Sequence, residues 1–165
     1  PFHVNLALFQ NSILWSLLAE LIYYTLYPIL RTLHGKFGWQ RMIAVSMVAA
    51  YAVVACFPTA LDYSPFGPRL AWLVAFPCWL LGCLLAEGDF QKSVPVLSRS
   101  LVWRWRLGVW FLSSLCSFLR FHSPVGYPWT LNLFAVAVFF WLRVEIAAFK
   151  QQKGSSWLEW AGRWS

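Results

Sequence analysis

Apolar residues fall in five long runs separated by short polar stretches, and these runs set the expected architecture. They cover about 12–30, 42–61, 70–86, 101–119 and 129–149. A helix needs about 20 predominantly apolar residues to cross a bilayer, and each run approaches that length. The fourth is the shortest: it is apolar only over 107–119 and spans only if residues from 101 onward are included. The stretches between the runs are rich in turn formers, as in Asp62-Tyr63-Ser64-Pro65-Phe66-Gly67-Pro68. The pattern predicts one all-α domain over 1–165: a polytopic transmembrane bundle of about five spanning helices, with another element beginning near Trp157. The loop over 87–106 is expected to hold a short surface helix.

Inside the first run the apolar pattern is broken in a regular way. At about 100° per residue, Ser12, Ser16, Glu20, Tyr23 and Tyr27 fall within roughly 40° of one direction, a polar stripe on an otherwise greasy helix. Glu20 lies near the middle. An acidic residue at a helix centre costs roughly 2.5–3.5 kcal/mol on insertion scales and therefore belongs in the protein interior or a wet cavity. It is either a structural hydrogen-bonder held by a neighbouring helix or a functional group. Pro28 is expected near the end of this helix, with 31–41 as a polar loop. The second run has no charge, and its small residues (Ala44, Ser46, Ala49, Ala50, Ala52, Ala55) suit close packing. The third carries Pro77 in its interior, which predicts a kink whose freed carbonyl is satisfied by neighbours or water. The fifth has one polar interior residue, Asn132.

Composition strengthens the membrane reading. Hydrophobic residues make up 60% of the chain and charged residues 12%, against about 25% in soluble domains. The net charge of +7 does not mark a nucleic-acid binder, because the cations are spread over particular loops. Arg31, Lys36 and Arg41 occupy the first loop, Arg69 the second, and Lys92, Arg99, Arg104 and Arg106 the third. Arg120 stands alone in the fourth, and Arg143, Lys150 and Lys153 follow the fifth run. This alternation fits the positive-inside rule for five consecutive spans, with the loop after Leu30 cytoplasmic. The twelve tryptophans suit membrane–water interfaces. Cys56, Cys78, Cys83 and Cys116 lie in apolar runs and read as buried small hydrophobes. The histidines His3, His34 and His122 show no metal-binding spacing, so no metal is expected.

The stretch Trp15-Ser16-Leu17-x-x-Glu20-x-x-Tyr23, followed by Tyr27-Pro28, resembles the Trp-Ser-Leu-x-x-Glu…Tyr…Pro segment of the acyltransferase-3 family. Phe76–Glu87 and Trp157–Ser165 resemble later helices of that family more weakly. The resemblance implies an integral membrane acyltransferase of the cell (inner) membrane, moving an acyl group, often acetyl, from a cytoplasmic acyl-CoA to a hydroxyl of a sugar or cell-surface glycan. Acyl-CoA would be co-substrate, with no bound cofactor, and the partners would be the bilayer and a carbohydrate acceptor. Glu20 would orient a base or the acceptor; Trp15, Ser16, Tyr23 and Tyr27 would bind substrate. The histidine base of the family lies in an earlier helix, and no histidine here matches its motif. The chain is accordingly read as part of a longer protein and as inactive alone. A second hypothesis is a proton- or solute-coupled carrier, which the same polar stripe and kinked helices would suit.

Overall fold

The computed structural model of the chain describes residues 14–87 and 98–151, with side chains from Ser16 to Lys150. They form α1 (Leu14–Phe37), α2 (Trp39–Ala55), a 3₁₀ turn (Ser64–Phe66), α3 (Gly67–Glu87), α4 (Arg99–His122) and α5 (Tyr127–Gln151), and there is no strand among the described residues. The fold is all-helical. The expected element beginning at Trp157, the lead-in before Leu14, and the Lys92 and Lys153 loop positions lie outside the described residues.

The first boundary differs from expectation. Pro28 does not end α1, which continues to Phe37, so most of the expected polar loop is helical. Its last turn carries His34 and Lys36, cations that suit the negative end of the helix dipole. The chain turns instead at Gly38, whose φ of +74° is open to glycine and strained for other residues. Across this elbow the chain bends by 115° from α1 into α2.

Two helical segments, Ser64–Glu87 and Tyr127–Lys150, are long and apolar enough to cross a membrane, and the bent α1–α2 pair makes a third if it counts as one span. Length and composition thus support two or three spans where five were expected. Helix α2 has only 17 residues, about 25 Å. Helix α4 carries Arg99, Arg104 and Arg106 into its second turn, which leaves too short an apolar stretch.

Helix α3 is the centre of the packing. Its residues Ala71, Val74, Pro77, Leu80 and Leu81 are buried, spaced three and four apart as one helical face requires. Leu80 and Leu81 join Leu30, Trp39, Ile43 and Phe139 in one core; Ala71 and Val74 join Val54, Ala60 and Phe66 in another. Of the small residues of α2, Ser46 and Ala50 sit in the contact with the bundle, whereas Ala44, Ala52 and Ala55 are exposed.

Pro77 has no N–H, so the Leu73 carbonyl loses its helical partner. The carbonyls on either side are both bridged from other helices: Tyr23 Oη donates to Trp72 O at 2.5 Å, and Asn132 Nδ2 donates to Val74 O at 3.0 Å. The proline is thereby tied to α1 and α5. At one end of the bundle two loops meet. The Tyr127 amide donates to Leu61 O at 3.1 Å, and Trp129 Nε1 donates to Pro58 O at 3.4 Å.

Much of the outer surface is apolar. In α4 only Val102 is buried, and Trp110, Phe111, Phe118 and Phe121 are bare. Contiguous bare hydrophobes on this scale mark a membrane or partner surface. The cysteines depart from expectation: all four are free thiols, Cys56 is exposed and the others half-buried, because they lie at helix flanks beside the core rather than in it.

Candidate functional site

The residues singled out in the sequence all lie on α1, and packing divides them. The buried line of that helix is Ala19, Tyr23, Leu30 and, half-buried, Leu26, an i, i+4, i+7, i+11 series. Glu20 stands roughly 90° away from the centre of that line. It is therefore exposed rather than turned inward, and it makes no hydrogen bond or ion pair with another described residue. The polar stripe and the packing stripe are offset, because the two tyrosines belong to the packing stripe. Ser16 is half-buried on the same helix, and the Trp15 side chain lies outside the described residues.

Tyr23 is 5% exposed. Its ring stacks on Trp79 with centroids 5.3 Å apart and tilts against Phe76 at 5.6 Å, so its phenol reaches the Trp72 carbonyl inside a wall of aromatics. Tyr27, one turn on, meets Trp79 edge-on at 5.9 Å and donates to Glu87 Oε1 at 2.5 Å. The structure thus brings Tyr23 and Tyr27 together around Trp79 and leaves Glu20 on another side.

Glu87 is the polar group that sequence reasoning missed: the sequence places it where an apolar run gives way to a loop and assigns it no role. Trp39 Nε1 donates to its Oε2 at 3.2 Å, so both carboxylate oxygens have donors, one from α1 and one from α2. Arg31 and His34 lie within its electrostatic reach, and His34 stacks on Trp39 with centroids 4.9 Å apart. The available signal was its position: a carboxylate ending an apolar helix, opposite a run holding Arg31, His34 and Lys36. Chemically the cluster ties the end of α3 to the body of α1 and to the start of α2.

An ion pair fastens α4 to α5. The Arg106 guanidinium donates from Nε to both Glu145 oxygens, at 3.0 and 3.3 Å, and from Nη2 to one of them. No group of three or more His, Cys, Asp or Glu residues is arranged for a metal among the described residues. No protein-family model, curated protein or solved structure matches the chain.

Proposed function

We propose that this chain is the membrane-embedded part of an acyltransferase that moves an acyl group, acetyl above all, from a cytoplasmic acyl-CoA to a hydroxyl of a sugar or surface glycan. One observation carries the reading. The Trp15-Ser16-Leu17-x-x-Glu20 stretch and Tyr23 and Tyr27 fall on one unbroken helix, and the carboxylate is exposed and makes no hydrogen bond or ion pair with a described residue. An intramembrane ionisable group is a functional candidate by default, and the brace reading of Glu20 finds no bracing partner there. In this mechanism Glu20 orients the base or the acceptor hydroxyl. Trp15 and Ser16 line the approach, and Tyr23 and Tyr27 fix the helix against α3.

The proposal includes five crossings in the cell (inner) membrane. Arg31, Lys36, Arg41, Arg99, Arg104, Arg106 and Lys150 belong to one end of the bundle, and Arg69 and Arg120 to the other, as the positive-inside rule asks.

The test is Glu20→Gln in the native protein in its own membranes, supplied with acyl-CoA. Gln is nearly isosteric and Glu20 is exposed, so abundance stays near normal. Transfer falls by on the order of 100-fold or more, the scale of acid–base contributions. A normally abundant, fully active variant overturns the role of Glu20. Solute-driven proton uptake with no acylated product would replace the enzyme by a carrier.

A further inference from the structure

The elbow between α1 and α2 leaves a groove of about 540 Å³ over α3, lined by Leu30, Leu33 and Phe37 of α1, Met42, Val45 and Ala49 of α2, and Leu73, Phe76 and Leu80 of α3, with Ser46 and Arg41 as its polar members. The Ser46 hydroxyl donates to the Ile43 carbonyl of its own helix and offers the groove little. Arg41 stands at the elbow end. It is exposed and has no ion pair among the described residues.

We propose that this groove holds an anionic glycerophospholipid, its acyl chains lying in the elbow and its headgroup phosphate against Arg41. Three features select this occupant. The groove opens on a surface whose neighbouring side chains, Val45 (70% exposed) and Phe37 (54%), are bare and apolar, so in a bilayer it faces lipid. Water takes roughly 30 Å³ per molecule and a methylene about as much, so the space holds on the order of eighteen methylenes: a chain, or two chain segments side by side. The charge is at one end only, which fits an amphiphile with an apolar body and an anionic head. Arginine matches phosphate oxygens through paired N–H donors. Chains exchange between groove and bilayer at little net cost, both being hydrocarbon. Selection therefore resides in the headgroup, and Lys36, beside Phe37, adds charge at the same end.

The inference needs the membrane setting but not the acyl-transfer chemistry, and its assay contains no transfer step. The native protein is reconstituted in vesicles of equal parts phosphatidylglycerol and phosphatidylcholine. In parallel samples, one lipid or the other carries a diazirine in its acyl chain. After illumination, labelled peptides are mapped by mass spectrometry. Labelling within 30–49 favours phosphatidylglycerol by about fivefold or more. Arg41→Gln brings the ratio close to one, Arg41→Lys retains most of the preference, and Ala49→Trp, which fills the groove, lowers labelling by both lipids. Circular dichroism shows the variants equally helical; because Arg41 is exposed, its substitution leaves the core intact. Equal labelling by the two lipids in the unsubstituted protein overturns the proposal. So does displacement of the phosphatidylglycerol label by micromolar long-chain acyl-CoA, which would make the groove a donor site. Cross-links from the groove peptides to a second copy or to another segment of the chain, in place of lipid, overturn it as well.

Discussion

Asn132 is the polar side chain that the packing holds most strictly. It is fully buried, donates to Val74 O, and accepts from Cys78 Sγ at 3.1 Å. Asn132→Leu keeps the volume and removes both bonds beside Pro77. Interhelical hydrogen bonds in membranes are worth about 0.6–2 kcal/mol. A loss of roughly 1 kcal/mol is expected in the unfolding free energy, measured by denaturing-detergent titration, with Cys78→Ala costing less. Gly126 is constrained differently: a Cβ there would lie 1.9 Å from Ala60 O and 2.7 Å from Leu61 Cα. Both are backbone atoms, so Gly126→Ala must part the two loops, and a cost of about 1–3 kcal/mol is expected from overpacking. Asn132 was legible in the sequence as a lone polar residue in an apolar run; its partner was not, because Pro77 frees the Leu73 carbonyl and Asn132 bonds the next one, Val74 O. The orientation of Glu20 was not legible. A stripe counted from polar residues includes tyrosines, and a tyrosine packs as readily as it hydrogen-bonds; once Tyr23 goes into the core, Glu20 is carried to the flank. Glu87 was missed because its partners, Tyr27 and Trp39, come from two other helices.

At the scale of elements the elbow is the feature that arranges the rest. Gly38, at φ +74° and ψ 150°, lies in a region essentially confined to glycine. Gly35, three residues earlier, is inside α1, and a Cβ there would meet nothing within 4 Å. The two glycines are therefore expected to respond oppositely. Gly38→Ala should cost about 1–3 kcal/mol, while Gly35→Ala should stabilise by up to about 1 kcal/mol through helix propensity. Thermal unfolding of the two variants in the same micelles checks the sign of each. Equal destabilisation would mean that the elbow does not depend on the backbone of residue 38. The elements themselves were largely legible, because apolar runs of this length have few other solutions in a bilayer. The helix through 31–37 was not. Pro28 and the polar residues after it read as an exit, yet a proline inside a helix is tolerated when neighbours hold the helix. Here Tyr27 and Leu30 are packed on either side of it. The break falls where the backbone needs a positive φ, and a glycine pair such as Gly35 and Gly38 does not announce which member supplies it.

The whole molecule constrains its own topology more tightly than composition does. The Leu61–Tyr127 backbone bond puts the start of α3 and the start of α5 at one end. The bonds of Glu87 to Tyr27 and Trp39 put the end of α3 with the elbow. The Arg106–Glu145 pair puts the beginning of α4 with the later part of α5. Helix α4 begins beyond the far end of α3 and must return to Tyr127, so it runs back along the bundle even though its arginines exclude it on hydropathy. At 24 residues, about 36 Å, it is long enough for a 30 Å hydrocarbon layer, with Arg99, Arg104 and Arg106 at one surface. The expected outcome, to be decided by labelling, is that α4 and α5 cross wherever α3 does. Were α4 to lie on the surface instead, residues 62 and 124 would fall on opposite faces and the Leu61–Tyr127 bond would be broken. Single cysteines on a cysteine-free background decide the matter in sealed cells. Asp62→Cys and Pro124→Cys should both react with an impermeant maleimide from outside, while Lys36→Cys and Lys150→Cys should react only after permeabilisation. Labelling of 62 without 124 would make α4 a surface helix, and labelling of 36 and 150 from outside would invert the orientation set by the arginines.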